Sequence, residues 1–332
     1  MAIRFPMLAV SIIIANIKAP MNNSPKQEVV QSSLMHGSAA DSATSTARFT
    51  QKPMVKFARL IMSRLDRIAP SVAARLTYQL ISSPPRHKPR VEERNLRARA
   101  AQSRIAFQGG WLQCYQWGKG PLCLFVHCWG GRGTQAQTLI EKLVQSGLSV
   151  VSFDHPAHGL SSGTRAEMIR MSAATAAVVK QYGAIKTVIG HSLGVAAVTI
   201  AMRDYDLPVA RLVSISSLTD CIWFTRVIGG YLGISNSTLS NTRALVDRDY
   251  AQPVQWEELS VQKMIAKLSI PILLIHDRDD HEIPFAHSVA LHQAAPHATF
   301  FETNGEGHRR ILKNSQVIEK ILGFIHHTEV TK

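Results

Sequence analysis

The chain has 332 residues, of which 45% are apolar and 18% charged, so it can bury a large core. These proportions exclude a chain that is disordered throughout and an integral membrane protein. None of its four cysteines forms a C-x-x-C pair, which argues against a disulfide framework or a cysteine zinc site. This cysteine usage favours a reducing, cytoplasmic location.

The formal net charge of +14 is concentrated in one part of the chain. Residues 54–104 carry twelve basic and three acidic side chains, whereas residues 105–332 carry twenty and eighteen. Because the larger part has almost no basic excess, the sequence does not indicate a nucleic-acid enzyme, and we predict no nucleic-acid partner.

Residues 1–53 are expected to contribute little to the fold. The mostly apolar run Met7–Ile17 resembles a weak signal sequence, but it is too short to span a bilayer and no A-x-A cleavage pattern follows it. Export is therefore the weaker alternative to a cytoplasmic location. Residues 21–53 are rich in Ser, Thr, Asn, Gln and Ala, which predicts disorder, and Met54 is an alternative start.

Residues 54–104 are predicted to form a basic helical extension. Apolar residues recur at helical spacing from Met54 to Ile68 with Lys and Arg between them, and a second helix is predicted over Val72–Ile81. Residues 54–81 would either pack on their own domain with a solvated basic face or lie on an anionic membrane surface, and the sequence leaves both open.

From about residue 105 to the end, β-rich runs alternate with helical stretches. The predicted strands are Trp111–Trp117, Leu122–His127, Leu148–Asp154, Thr187–Gly190, Val209–Ile215, Ile270–His276 and Thr299–Glu302. This alternation predicts an α/β domain over 105–332, with a mostly parallel central sheet and helices on both faces. The interval of about 216–268 is too long for a simple crossover, so we predict a small, aromatic-rich helical cap there.

The strongest local signal is Gly190-His191-Ser192-Leu193-Gly194, a G-x-S-x-G sequence between a predicted strand and a predicted helix. The glycines allow a sharp turn that presents the Ser192 hydroxyl at its tip. The Leu193 amide then lies at a helix N-terminus, where it can donate to a developing negative charge. The segment therefore predicts a nucleophile elbow.

A serine nucleophile needs a base, and the base needs an orienting carboxylate. Asp280 follows a buried strand, and His308 lies in a G-x-G-H segment after the next strand. The order Ser192, Asp280, His308 resembles that of the α/β-hydrolases, in which it forms the catalytic triad. Asp279 is the rival acid, which we disfavour because a shift of one residue turns the side chain away.

Two more segments resemble the same family. In His127-Cys128-Trp129-Gly130, which is similar to its H-G-x-G turn, the resemblance implies that the N–H groups of Trp129 and Leu193 form an oxyanion hole and that His127 braces the turn. Cys128 replaces the customary glycine. A further segment at 154–161 resembles the scaffold turn D-x-P-G-H-G-x-S, with Ala157 in place of a glycine.

The resemblance covers about residues 105–327 and implies a serine hydrolase that cleaves a carboxylic ester or thioester, with a small-molecule substrate. The aromatic-rich cap favours an apolar or aromatic substrate group. Two alternatives keep the triad but change the reaction, to acyl transfer or perhydrolysis. The others are a non-catalytic binding protein with a vestigial triad and a lipid esterase held at a membrane surface by residues 54–81.

No cofactor or metal is implied by the sequence. No phosphate-binding or dinucleotide-binding glycine motif is present. His281 and Glu282 begin an H-E-x-x-H zinc motif, but Phe285 stands where the second histidine would be. A zinc-protease interpretation therefore fails.

Overall fold

The computed structural model describes residues 53–250 and 254–326, excluding the side chains of residues 53–55. The run Met7–Ile17 and the predicted disorder up to residue 52 lie outside these ranges.

A single eight-stranded sheet lies at the centre of the described chain, in the order β1-β2-β4-β3-β5-β6-β7-β8. The strands are β1 Ala101–Phe107, β2 Gly110–Trp117, β3 Leu122–Val126, β4 Ser149–Phe153, β5 Ile185–His191, β6 Val209–Ile215, β7 Ile272–Asp277 and β8 Thr299–Thr303. The pairs β1–β2 and β2–β4 are antiparallel, and all the others are parallel. The predicted mostly parallel α/β sheet is confirmed.

Helices connect the strands, as the alternating pattern predicts. They are α1 Pro53–Ile68, α2 Pro70–Ser82, α3 Val91–Ala98, α4 Gln137–Gln145, α5 Met168–Tyr182, α6 Leu193–Tyr205, α7 Cys221–Leu232, α8 Asn236–Asp247, α9 Val261–Ile265, α10 Ala286–Ala294, α11 Gly307–Arg310 and α12 Ser315–His326. Short 3-10 turns occupy Trp256–Glu258 and Ile311–Lys313. Within the described ranges, no helix has both the length and the apolarity needed to cross a membrane.

The sheet separates two apolar cores because successive side chains of a strand point to opposite faces. In β3, Leu124 and Val126 join a core that includes residues of α5 and α6. Cys123 and Phe125 join the other core, with residues of α4 and α12. Helices therefore cover both faces of the sheet, as predicted.

Strand β1 is missing from the predicted strands, and it begins inside the segment assigned to the helical extension. Five of its seven residues are exposed and two are partly buried, because it is an edge strand that pairs only with β2. A tight turn at Gln108 and Gly109, both with positive φ, joins the pair. An edge strand that buries so little lacks the apolar alternation used to find strands.

The described chain divides into two compact units, and the division does not follow the predicted boundary at 105. One unit contains the described residues up to Leu80 together with Arg226–Leu245, and the other contains 81–225 and 246–326. In the first unit, the Arg59 guanidinium donates to the Gly230 carbonyl, and Asp66 accepts the Ser235 N–H at 3.1 Å. Part of the helical extension and part of the segment predicted as a cap thus form one unit.

Candidate active site

Ser192 occupies a strained turn between β5 and α6. Its φ of 58° and ψ of −127° lie in a region that residues other than glycine rarely adopt. The Ser192 N–H donates to the Ile215 carbonyl at 2.8 Å, and the Val195 N–H donates to the Ser192 carbonyl at 2.9 Å. These backbone bonds hold the strained turn, and Ser192 has the elbow geometry that the G-x-S-x-G sequence predicts.

Gly194, two residues after this serine, is required because helix α6 approaches the sheet closely. A Cβ atom on Gly194 would lie 2.4 Å from the Val126 carbonyl oxygen and 2.7 Å from that of His127. Both neighbours are backbone atoms of the segment that leads into the predicted oxyanion turn. The packing of the elbow and the position of that turn are therefore coupled.

The structure brings the predicted acid and base together. Asp280 Oδ2 lies 2.7 Å from His308 Nδ1, and Oδ1 accepts the N–H groups of Glu282 and Ile283 at 2.8 and 2.9 Å. His276 Nε2 lies 3.3 Å from the same carboxylate. Asp280 is thus held by backbone donors on one oxygen and directed at the imidazole by the other.

The rival carboxylate, Asp279, has a different partner. Its Oδ2 accepts the Gly305 N–H at 2.9 Å, so it closes the loop ahead of His308. Asp277, which stands where the related motif has glycine, accepts the Thr303 hydroxyl at 2.6 Å and the Glu306 N–H at 3.0 Å. Both carboxylates brace the loops that carry Asp280 and His308.

The two predicted oxyanion donors come from separate segments. Trp129 lies in the turn after β3, and Leu193 is the first residue of α6, so its amide has no acceptor within its own helix. Gly130 in this turn has positive φ, whereas Cys128 does not, so the backbone there does not require a glycine at 128. The scaffold turn differs, because Ala157 adopts a φ of 63°.

His127 fastens the same turn. Its Nδ1 donates to the Cys128 carbonyl at 2.7 Å, and its Nε2 accepts the His155 N–H at 3.0 Å. These partners assign the neutral tautomer with the proton on Nδ1. His158 Nε2 accepts the Gly130 N–H at 2.7 Å. Both histidines therefore have bracing contacts, as the resemblance implies for His127.

An apolar pocket lies beside Trp129 and Leu193, in the same compact unit. It encloses about 530 Å³ of space, part of which is open to solvent. Its walls include Met168, Met171, Phe224 and Trp256. Trp129 and Leu193, which carry the two candidate oxyanion donors, thus line a pocket whose surface is made mainly of hydrocarbon and aromatic side chains.

Comparison with known proteins identifies this arrangement. The family model described as alpha/beta hydrolase fold matches residues 121–228, which contain the predicted oxyanion turn and the elbow. The chain has the α/β-hydrolase fold. Solved structures agree with this fold. The bromoperoxidase of Bacillus anthracis is 18% identical with a TM-score of 0.53, and the alignment covers 68% of this chain and 99% of that protein. Est1E of Butyrivibrio proteoclasticus is 19% identical, with a TM-score of 0.53 and coverages of 68% and 98%.

The sequence relatives of this chain are distant. The human alpha/beta hydrolase domain-containing protein 17C is 24% identical over 180 residues, which are 54% of this chain and 50% of that protein. The uncharacterized protein YfhR of Escherichia coli strain K12 is 26% identical over 183 residues, 52% of this chain and 58% of its own. The chain thus spans between 50% and 58% of the length of these relatives.

A second carboxylate, which no motif in the sequence indicates, lies near His308. Glu282 Oε2 lies 4.0 Å from His308 Nε2, the ring nitrogen that does not face Asp280. The Arg309 guanidinium donates two hydrogen bonds to the Glu282 carboxylate, at 2.7 and 2.9 Å. The only sequence signal is position, since Glu282 and Arg309 adjoin the two loops that hold the acid and the base.

The neighbouring charges shift the pKa values of His308 and Asp280 in opposite directions. Burial favours the neutral imidazole, but Asp280 and Glu282 outweigh it and raise the pKa of His308 above its ordinary value of 6.5. Burial likewise opposes the charged form of Asp280, yet His308 and His276 hold the pKa of that carboxyl well below its usual range. The pair therefore favours an imidazolium beside a carboxylate.

Gln135 and His191 are also missing from the predicted site, although they connect its parts. Gln135 Oε1 accepts the Cys128 thiol at 3.6 Å and the Arg132 N–H at 3.4 Å, in the oxyanion turn. Gln135 Nε2 donates to His191 Nδ1 at 3.1 Å, and His191 Nε2 donates to the His308 carbonyl at 2.8 Å. A continuous series of hydrogen bonds thus joins the predicted oxyanion turn, the elbow and the loop that carries His308.

Proposed function

We propose that this protein is a serine hydrolase that cleaves a carboxylic ester or thioester. The observation that carries the proposal is the 2.7 Å bond between Asp280 and His308, in the same compact unit as the strained turn of Ser192. The His308 ring also lies 4.7 Å, between ring centroids, from that of His191, the residue before Ser192. A buried carboxylate that orients an imidazole is the arrangement that activates a serine hydroxyl.

In the proposed reaction, Ser192 Oγ attacks the carbonyl carbon while His308 takes the hydroxyl proton. Asp280 keeps the imidazole oriented through Nδ1 and stabilises the imidazolium that forms. The N–H groups of Trp129 and Leu193 bind the negative oxygen of the tetrahedral intermediate. His308 then protonates the leaving alcohol or thiol, and water releases the acyl group by the reverse sequence. None of these steps uses a cofactor or metal.

The apolar pocket supports an apolar acyl group as the part of the substrate that is recognised. Trp129 and Leu193, whose N–H groups are the proposed oxyanion donors, both line the pocket, and we propose that the acyl chain enters it from their side. Burial of each methylene group contributes about 0.8 kcal/mol. Esters with longer acyl chains should therefore react with higher kcat/KM until the pocket is filled.

A series of p-nitrophenyl esters from acetyl to decanoyl, with the matching thioesters, tests this specificity. Phe224 lines the pocket and packs against Trp129 with ring centroids 6.2 Å apart. In Phe224→Ala, we expect the kcat/KM ratio of octanoyl to acetyl ester to fall about tenfold, because apolar contact worth about 1.5–3 kcal/mol is lost.

Tyr205→Ala is the matched control, since Tyr205 is an exposed aromatic residue that does not line the pocket. An equal fall of the octanoyl-to-acetyl kcat/KM ratio in both variants would show that the pocket does not bind the acyl chain. Complete lack of turnover by the folded wild type with every ester would favour the alternative of a non-catalytic binding protein. A cytoplasmic location remains a prediction from the cysteine pattern.

A further inference from the structure

Large apolar side chains are exposed on the first two helices. Phe57 is 59% exposed, Leu60 48%, Ile68 80% and Val72 44%. They are four of the eight exposed large apolar side chains among the described residues, yet they lie within sixteen positions of each other. Single exposed apolar residues are ordinary on protein surfaces, but a cluster of them marks an interaction site.

Three of these side chains, all except Val72, share one face of α1 with basic residues. At 100° per residue, Phe57, Leu60 and Ile68 fall within an arc of about 120° that also contains three cations. Those cations are the exposed side chains Lys56, Arg64 and Arg67. Ala58 and Met62, on the opposite side of α1, are buried. Phe57, Leu60 and Ile68 thus point outward, whereas an ordinary surface helix turns its large apolar side chains inward.

The face carries positive charge with little to neutralise it. Lys56, Arg64, Arg67 and, on α2, Arg75 are exposed, and none of them forms an ion pair within 4.0 Å of another described residue. Asp66 is the only acidic residue in 53–82, and its carboxylate accepts the N–H and the hydroxyl of Ser235 at 3.1 and 2.9 Å.

We propose that this basic apolar face of α1, formed by Lys56, Phe57, Leu60, Arg64, Arg67 and Ile68, binds the surface of an anionic lipid bilayer. A helix lying in the headgroup region buries its apolar side chains at the acyl boundary. Its cations meet the lipid phosphates at the same depth, and each contributes to binding. This role is independent of the chemistry at Ser192 and would hold in an inactive variant.

The chemistry of the face favours a bilayer over a nucleic acid. A phosphate backbone would attract the cations, but it offers no apolar layer for Phe57 or Ile68. A bilayer surface takes up both kinds of side chain, because the charged headgroups lie directly above the hydrocarbon.

Flotation of the full chain with lipid vesicles is the first test. We expect binding to vesicles of phosphatidylcholine with 30% phosphatidylglycerol, little binding to phosphatidylcholine alone, and weaker binding at 0.5 M salt because the charges are screened. The triple variant F57S/L60S/I68S should bind the anionic vesicles at least about tenfold more weakly. The control V91S/W111S/Y205S, which changes exposed apolar residues elsewhere, should bind like the wild type.

A fluorophore placed on the face tests where contact occurs. The four natural cysteines are buried, and burial raises the pKa of Cys114, Cys123 and Cys221 to about 12, so Leu60→Cys can be labelled selectively. A nitrobenzoxadiazole at position 60 should shift to the blue when anionic vesicles are added. The same label on Val91→Cys, a residue 55% exposed, should not shift.

Three results would overturn the proposal. The first is no binding to anionic vesicles, and the second is equal binding by the wild type and the triple variant. The third is a label at position 60 that is already shielded without vesicles, which would mean that another part of the chain or a second copy covers the face.

Discussion

At the residue scale, His308 has a carboxylate near each ring nitrogen. Asp280 is bonded to Nδ1 at 2.7 Å, and Glu282 lies 4.0 Å from Nε2, where it is also paired with Arg309. A protonated His308 cannot accept the serine proton, so activity should appear as pH rises through its pKa. Because the two carboxylates raise that pKa, the rising limb should lie at a more alkaline pH than for an ordinary histidine.

We therefore expect Glu282→Gln to move the rising limb of the kcat/KM profile toward acid pH. The substitution removes a negative charge facing Nε2 and leaves Arg309 without its carboxylate partner, and both changes disfavour the imidazolium. Asp279→Asn is the control, because that carboxylate is bonded to the Gly305 N–H rather than to His308. A limb that stays in place in Glu282→Gln would show that Glu282 does not act on His308.

Gln135 gives a prediction about positioning rather than proton transfer. Gln135→Ala should lower kcat about tenfold with little change in KM, because the loss of a buried hydrogen-bond partner costs about 1–3 kcal/mol and loosens the loop of His308. Gln135→Glu should also lower kcat, since it keeps the acceptor for Cys128 and Arg132 but loses the N–H that reaches His191.

Gln137→Ala is the matched control, since Gln137 bonds Glu141 one turn along the same helix. Steady-state kinetics with one ester would measure all three variants. Equal losses in Gln135→Ala and Gln137→Ala, or a change confined to KM, would contradict the positioning role.

The residues that the sequence reveals are those held by local geometry. Ser192 was predicted from its flanking glycines, and Asp280 was preferred to Asp279 because neighbouring side chains point in different directions. Glu282, Arg309, Gln135 and His191 were missed, because their roles depend on segments that lie far apart in the sequence. Their contacts span 27 to 117 positions, which no local pattern encodes.

At the element scale, the close contact between α6 and β3 gives a prediction about stability. Gly194→Ala should lower the free energy of unfolding by about 2 kcal/mol or more, because its Cβ would lie 2.4 Å from the Val126 carbonyl oxygen. That neighbour is backbone, so relief requires the helix or the strand to move. The same shift should slow any reaction at Ser192.

Gly323→Ala is the control within a helix. Apart from its chain neighbours and the backbone of its own helix, no atom lies within 4 Å of the added Cβ, so this substitution should stabilise the chain by up to about 1 kcal/mol through helix propensity. Chemical denaturation would measure both variants. Equal stability of Gly194→Ala and the wild type would contradict the packing account.

Buried elements were more predictable than exposed ones. Strand Val209–Ile215 was predicted with its observed ends, because five of its seven residues are buried and its apolar run is distinct. The C-terminal segment from Arg309 to His326 is less regular and does not form one helix, since α11 and a 3-10 turn precede α12. The Asn314 side chain explains the break, because it accepts the Val317 N–H at 3.0 Å and so begins a new helix.

At the scale of the whole molecule, the alternation of strands and helices was sufficient to predict the fold class. It was not sufficient to predict the two compact units, because one of them joins residues up to 80 with residues 226–245. Hydrogen bonds such as that from Thr242 to the Ala74 carbonyl, at 3.4 Å, hold this unit together. Contacts over such separations follow from the folded chain and leave no local mark in the sequence.

The central claim is that Ser192 is a nucleophile activated by His308 and Asp280. Labelling of the folded full chain with a fluorophosphonate probe tests it most directly, since the probe reacts with activated serines whatever the natural substrate is. The account predicts rapid labelling of the wild type and of Asp279→Asn, and none of Ser192→Ala. Labelling of His308→Ala and Asp280→Asn should be slower by about 10³- to 10⁴-fold. A folded wild type that is not labelled, or labelling that persists in Ser192→Ala, would contradict the claim.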